Sequence, residues 1–168
     1  MIEFIVLKNS YTYSLIATLN NKVYALLLGE NKEKLISELK ELAKDKSITE
    51  KEIADDLDKQ IFFSLEKPES PHQSFPMILE GTDFQIKVWK YLIDNVKPGQ
   101  KVTYSKIAND IGAGKAYRAI GSACAKNKIA FLIPCHRVIG VNNKETGYRW
   151  GMKLKNILLE KEKSRDYF

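Results

Sequence analysis

Pro134-Cys135-His136-Arg137 sets a thiol between a rigid imino acid and two basic side chains. A cysteine thiol has an ordinary pKa of about 8.5, and its thiolate is the nucleophile. Histidine can take up a proton near neutral pH. Arginine adds a permanent positive charge that favours the thiolate. The expectation is a thiol ionised at neutral pH and used in nucleophilic attack. The opposing reading is an inert core thiol, because Phe131-Leu132-Ile133 lead into it and unpaired cysteines are among the most buried residues. Cys124 fits that inert reading, since it falls in a short apolar helix with no titrating neighbour. These residues do not identify the electrophile. The Cys-x5-Arg pattern of tyrosine phosphatases fails because position 141 is Val. No papain-like or caspase-like context is present either.

Metal chemistry is not expected. Two cysteines are too few for a disulfide scaffold, and there is no C-x-x-C. A structural zinc would need most of Cys124, Cys135, His72 and His136, at spacings unlike a standard finger. No cofactor is implied.

The elements that must position Cys135 are legible as patterns. "IEFIVLK", "YTYSLIATL" and "VYALLLG", punctuated by Asn9-Ser10 and Asn20-Asn21, predict three strands in an antiparallel meander. Leu35, Ile36, Leu39 and Leu42 predict a helix over 32–44, and Ile53, Leu57, Ile61 and Leu65 a second over 49–65. "EKPESPHQSFP", residues 66–76, reads as a linker. Thr82 and Gln85 form a capping-box pattern ahead of a helix carrying Phe84, Val88, Tyr91 and Leu92, which Lys97-Pro98-Gly99 ends. A short helix near 103–110, a glycine turn at 111–114 and a helix over 115–126 make a helix-turn-helix candidate. Leu154, Ile157 and Leu158 predict a last helix over 152–163.

Charge divides along the same boundary. Residues 1–80 carry 10 Lys against 14 Asp and Glu, a net of −4, while residues 81–168 carry 17 Lys and Arg against 7 Asp and Glu, a net of +10. Such a split suggests a polyanionic partner for the second half, or else a lysine-rich solubilising surface. On the helix from Lys115, Ala116, Ala119, Ile120 and Ala123 share the side expected to pack. Arg118, Gly121, Ser122 and Ala125 share the opposite side, a stripe of small residues that could approach a DNA minor groove. No apolar run reaches bilayer length. The segment Met1-Ile2-Glu3-Phe4 lacks a basic n-region and a cleavage site, so an intracellular, cytoplasmic protein is expected.

"IPCHRVIG", with "GTDFQIKVWKYL", "GQKVTYSKIA", "KAYRAIGSA", "KN" and "GYRWGMKLKNILLEKE" in the same order and spacing, resembles the O6-alkylguanine-DNA alkyltransferases, or methylated-DNA–protein-cysteine methyltransferases. The resemblance covers most of 81–168. It implies an α+β fold: a small N-terminal antiparallel sheet with helices, ribonuclease-H-like, over 1–75, and a mainly helical winged-helix/helix-turn-helix domain over 76–168. It implies single-turnover transfer of an alkyl group from O6-alkylguanine in double-stranded DNA to Cys135, by a monomer, without a cofactor. His136 is then the base acting through a water, Glu162 the carboxylate that orients it, and Asn127 the bridge between the active-site turn and the helix-turn-helix. Arg118 resembles the finger that fills the gap left by a flipped nucleotide. Tyr104 resembles the tyrosine that presses on the phosphate backbone. Ser105, Gly121, Ser122 and Arg137 are expected at the DNA, and Tyr104, Tyr148, Arg149 and Trp150 at the alkyl pocket. The family usually has small residues after that tyrosine, so Arg149 and Trp150 imply a bulkier rim. Without the resemblance, Glu162 reads as one more solvated charge. Two rival readings share much of the pattern: a winged-helix DNA regulator, and a cysteine hydrolase that turns over.

Overall fold

The computed structural model describes residues 1–70, 73–144 and 146–163. His72, weighed above for zinc, lies outside them. The chain forms two compact units, one of Met1–Ile78 with Lys128–Ala130, the other of Leu79–Asn127 with Phe131–Phe168.

The first unit is a four-stranded sheet with two helices. Strands β1 (Ile2–Lys8), β2 (Tyr13–Leu19) and β3 (Lys22–Gly29) make the expected antiparallel meander. Asn20 and Asn21 join β2 to β3 with φ of 51° and 59°. Two successive left-handed residues are what a two-residue hairpin turn requires, and asparagine tolerates that region. β4 (Ile48–Glu50) adds to the other edge of β1 in parallel, so the order is β3-β2-β1-β4. This corrects the helix expected over 49–65. The β-branched Ile48-Thr49 pairs with Ile2 and Glu3, and Ile53 is 78% exposed. The helix, α2 (Asp56–Glu66), begins only after a capping box made by Asp55 and Asp58, and it buries Ile61 and Leu65. α1 (Lys32–Ala43) is capped by Asn31 and buries Leu35, Leu39 and Ala43.

The second unit holds Cys135. α3 (Asp83–Asn95) starts at the Thr82/Gln85 capping box and buries Val88, Trp89 and Leu92. Trp89 Nε1 donates to the Ala123 carbonyl at 2.9 Å. That bond ties α3 to α5 (Tyr117–Lys126). Gly81 lets the indole close over the start of α3, because a Cβ there would fall 2.7 Å from the Trp89 ring. β5 (Val102–Thr103) leads into α4 (Tyr104–Asp110), and Gly112 and Gly114, at φ of 70° and 60°, make the turn to α5. β5 pairs in parallel with β6 (Val138–Ile139), which follows the turn at Cys135–Arg137. α6 (Met152–Glu162) packs Leu154 and Leu158 inward. The packed face of α5 is Ile120 and Ala123, whereas Ala119, expected on that face, is exposed. The helix begins at Tyr117 rather than Lys115. No helix among the described residues is long and apolar enough to cross a membrane.

Candidate active site

Cys135 opens a single 3-10 turn, Cys135–Arg137, and all three side chains are buried. The turn sits on a constrained approach. Phe131 has φ of 67°, a region that costs a bulky residue conformational energy. Its ring stacks on His136, with centroids 5.9 Å apart and 17° between planes. Asn127, wholly buried at the end of α5, donates from Nδ2 to the Ile133 carbonyl at 3.1 Å and to Cys135 Sγ at 3.4 Å. One amide therefore holds both the approach and the sulfur.

Behind the sulfur lies a buried ionic cluster. His136 Nε2 lies 2.7 Å from Glu162 Oε1. Arg137 Nε donates to both Glu162 oxygens, at 3.2 and 3.1 Å, and a second guanidinium nitrogen reaches Oε1 at 2.7 Å. Nη1 of Arg137 donates to the Val96 carbonyl at 2.7 Å. Burial alone would raise the Glu162 carboxyl, but His136, through its charge when protonated in acid and its hydrogen bond, and then Arg137 hold it down at about 2. Glu162 is thus an anion. His136 Nε2 carries the proton that Oε1 accepts, and its lone pair sits on Nδ1, which has no hydrogen-bond partner among the described residues. Burial lowers the imidazole pKa despite Glu162, so the ring is neutral at rest.

The cysteine differs from expectation. A hydrogen bond with the Cys124 thiol, followed by burial, pushes the Cys135 thiol well up, against smaller opposing effects of Asn127 and Lys155. The resting sulfur holds its proton. Arg137 does not ionise it, because that guanidinium is committed to Glu162.

The sulfur faces a cavity of about 320 Å³ lined by Tyr104, Gly121, Cys124, Ala125, Cys135, Gly147, Tyr148 and Arg149. Tyr104 donates to Thr146 Oγ1 at 3.0 Å, and burial raises its pKa, so it is a neutral phenol on the wall. Lys155, buried on α6, donates to the carbonyls of Val138 (2.8 Å) and Thr146 (3.2 Å), fixing the pocket loop to β6. Arg149 Nη1 donates to the Asn127 carbonyl at 2.7 Å.

The DNA-binding domain of 6-O-methylguanine DNA methyltransferases matches residues 83–164. The methylated-DNA–protein-cysteine methyltransferase of Debaryomyces hansenii is 36% identical over 166 residues, covering 91% of this chain and 86% of that protein. The chain belongs to the methylated-DNA–protein-cysteine methyltransferase family. The Saccharomyces cerevisiae protein of the same name is 54% identical over 85 residues, which are 51% of this chain and 45% of the yeast protein. The chain thus spans about half the length of several curated relatives it matches. The structure of Mycobacterium tuberculosis OGT in complex with DNA superposes with a TM-score of 0.82 at 31% identity, over 97% of this chain and 94% of that one.

The residues that the methyltransferase resemblance singled out are distributed unevenly. Cys135, His136, Glu162 and Asn127 converge. Tyr104, Gly121, Tyr148 and Arg149 line the cavity. Trp150, expected at the pocket, packs edge-on against Tyr148 instead, with centroids 5.4 Å apart, because it lies one residue behind the lining loop. Arg137, expected at the DNA, is a correction: it is 1% exposed and spends its donors on Glu162 and Val96. Arg118 and Ser122 are exposed on α5, and Ser105 is half-buried beside Thr103. Residue type missed two neighbours of the site. Lys155, which the sequence did not single out, is 2% exposed, and Cys124, read as inert, shares the cavity. The available signal for Lys155 was its position between Leu154 and Leu158 on the packed side of α6.

Proposed function

We propose that this protein repairs DNA by moving an alkyl group from O6-alkylguanine in a duplex onto Cys135, once per molecule and without a cofactor. The observation that carries the reading is the cavity with the Cys135 sulfur in its wall and a neutral, carboxylate-anchored histidine beside that cysteine. The target atom is inaccessible inside a stacked helix, so the nucleotide must swing out, at a cost of a few kcal/mol that a badly paired lesion reduces. Exposed Arg118 on α5 is suited to enter the vacated stack, and the small residues Gly121 and Ser122 let the helix come close to the groove. Tyr104 stands where it can contact both the backbone and the extruded base. The DNA in the complex of the Mycobacterium tuberculosis relative supports this partner.

The chemistry follows from the resting protonation states. The Cys135 proton passes through a water to His136 Nδ1, and Glu162 stabilises the imidazolium formed. The sulfur then attacks the alkyl carbon in line. The S–C bond forms as the C–O6 bond breaks, and the electron pair leaves on the guanine, which regains a proton. Keeping the thiol neutral until a base is seated limits side reactions of an exposed thiolate. The product thioether is stable, so no second cycle occurs.

The test is a mass spectrum after incubation with a duplex containing O6-methylguanine. One added methyl on the peptide containing Cys135 is expected, in a yield that never exceeds one per protein. Continued turnover without a protein adduct would point to hydrolysis, and sequence-specific binding with no adduct would point to a regulator; either overturns the reading.

A further inference from the structure

The cavity holds a second sulfur that alkyl transfer does not use. Cys124 lies on α5, one turn after Gly121, and lines the same space as Cys135. Eleven positions separate the two cysteines in sequence. In the fold both side chains line one cavity, and neither is in a disulfide. The wall around them is small where it needs to be: Gly121, Ala125 and Gly147 leave room, and Tyr104 and Tyr148 present rings.

We propose that Cys124 and Cys135 form a dithiol site that captures a trivalent arsenical, with both sulfurs bound to one arsenic atom in the alkyl pocket. Soft sulfur ligands select soft, thiophilic centres. The step balances without an oxidant. An organic arsenoxide, R–As=O, meets two thiols; two As–S bonds form, and the oxygen leaves as water with both thiol protons. Arsenic remains trivalent. The reaction consumes thiols, so the proton held on Cys135 at rest is no obstacle. After the first bond, the second is intramolecular, with an effective concentration in the millimolar range or above. A chelate of this kind resists a competing monothiol and yields to a competing dithiol. The chain has two cysteines in all, so no other pair can make it. The occupied site has no nucleophile left.

The probe is phenylarsine oxide added to the full chain, read by intact mass. The expected adduct is one C6H5As unit with loss of two protons. It survives excess glutathione, is removed by ethanedithiol, and blocks both cysteines against iodoacetamide. In Cys124→Ser and Cys124→Ala the remaining thiol holds arsenic by one bond, so resistance to glutathione falls by about tenfold or more. The proposal is overturned if glutathione strips the wild-type adduct as readily as the variants' adducts, or if Cys124 in the arsenical-treated wild type still reacts with iodoacetamide. Neither readout involves DNA, so failure here and failure of the alkyl-transfer reading are separate results.

Discussion

Glu162→Gln keeps the shape of a buried side chain and deletes its charge. In the parent, that carboxylate accepts three hydrogen bonds from Arg137 and one from His136. In the variant, an arginine that is 1% exposed faces a neutral amide. Removing one partner of a buried ion pair costs about 3–5 kcal/mol, because the other charge stays desolvated. Total stabilities run to about 5–15 kcal/mol. In a chain of this size each kcal/mol moves Tm by about 2–4 °C, so a fall of about 6–20 °C is expected. Acid provides an independent measure. The folded carboxyl sits at about 2, below its ordinary 4.5. That gap, at 1.36 kcal/mol per unit, is worth about 3 kcal/mol. Because the folded value is the lower one, this stability is present above pH 4.5 and is lost as the pH falls toward 2. Glutamine does not titrate, so the variant should lose less stability across that window. Guanidinium unfolding followed by circular dichroism at pH 7, 4.5 and 3 reads both effects. The double variant Glu162→Gln/Arg137→Met removes both charges and should recover part of the loss. A variant within about 1 kcal/mol of the parent at pH 7, with the parent's acid response intact, would refute the account of this cluster.

Three further outcomes are expected. Cys135→Ala should retain duplex binding and lose methyl transfer altogether; labelled methyl on Cys124 in that variant would show the nucleophile to be misassigned. Arg118→Ala should slow repair in duplex DNA while leaving reaction with the free O6-methylguanine base nearly unchanged, since the arginine acts on the stack, and equal losses on both substrates would remove the finger role. Duplex affinity should fall linearly in log–log salt titrations with a slope of about −0.9 per phosphate contact; a flat line between low and moderate salt would leave the net charge of +10 over 81–168 without a nucleic-acid meaning.

Local patterns were readable where local physics decides the outcome. The Thr82/Gln85 box starts α3, Asn20-Asn21 turns the hairpin, and glycines at 112 and 114 turn α4 into α5. Each is a contest between neighbouring backbone groups, settled within a few residues. The helix expected from Thr49 failed for the opposite reason. Ile48–Glu50 is drawn into a strand by β1, more than forty positions away, and no window around Thr49 contains that partner.

The same division runs through the site. Residue types and spacing marked Cys135 and His136 as a thiol and its base, and the family motif located Asn127, Glu162 and Tyr104. Burial was out of reach of those types. Glu162 falls four residues after Leu158, on the inward face of α6, and Lys155 lies three before Leu158; the charge of Glu162 nonetheless suggested solvent, and Lys155 was not singled out at all. Arg137 looked like a phosphate contact until its donors were found on Glu162 and Val96. Protonation at Cys135 depended on Cys124 coming within hydrogen-bonding reach. A chain of residue identities carries the chemistry each group can perform, but pKa, desolvation and partner choice are properties of distances in three dimensions, and those arise only when the helices and the active-site turn close on one another.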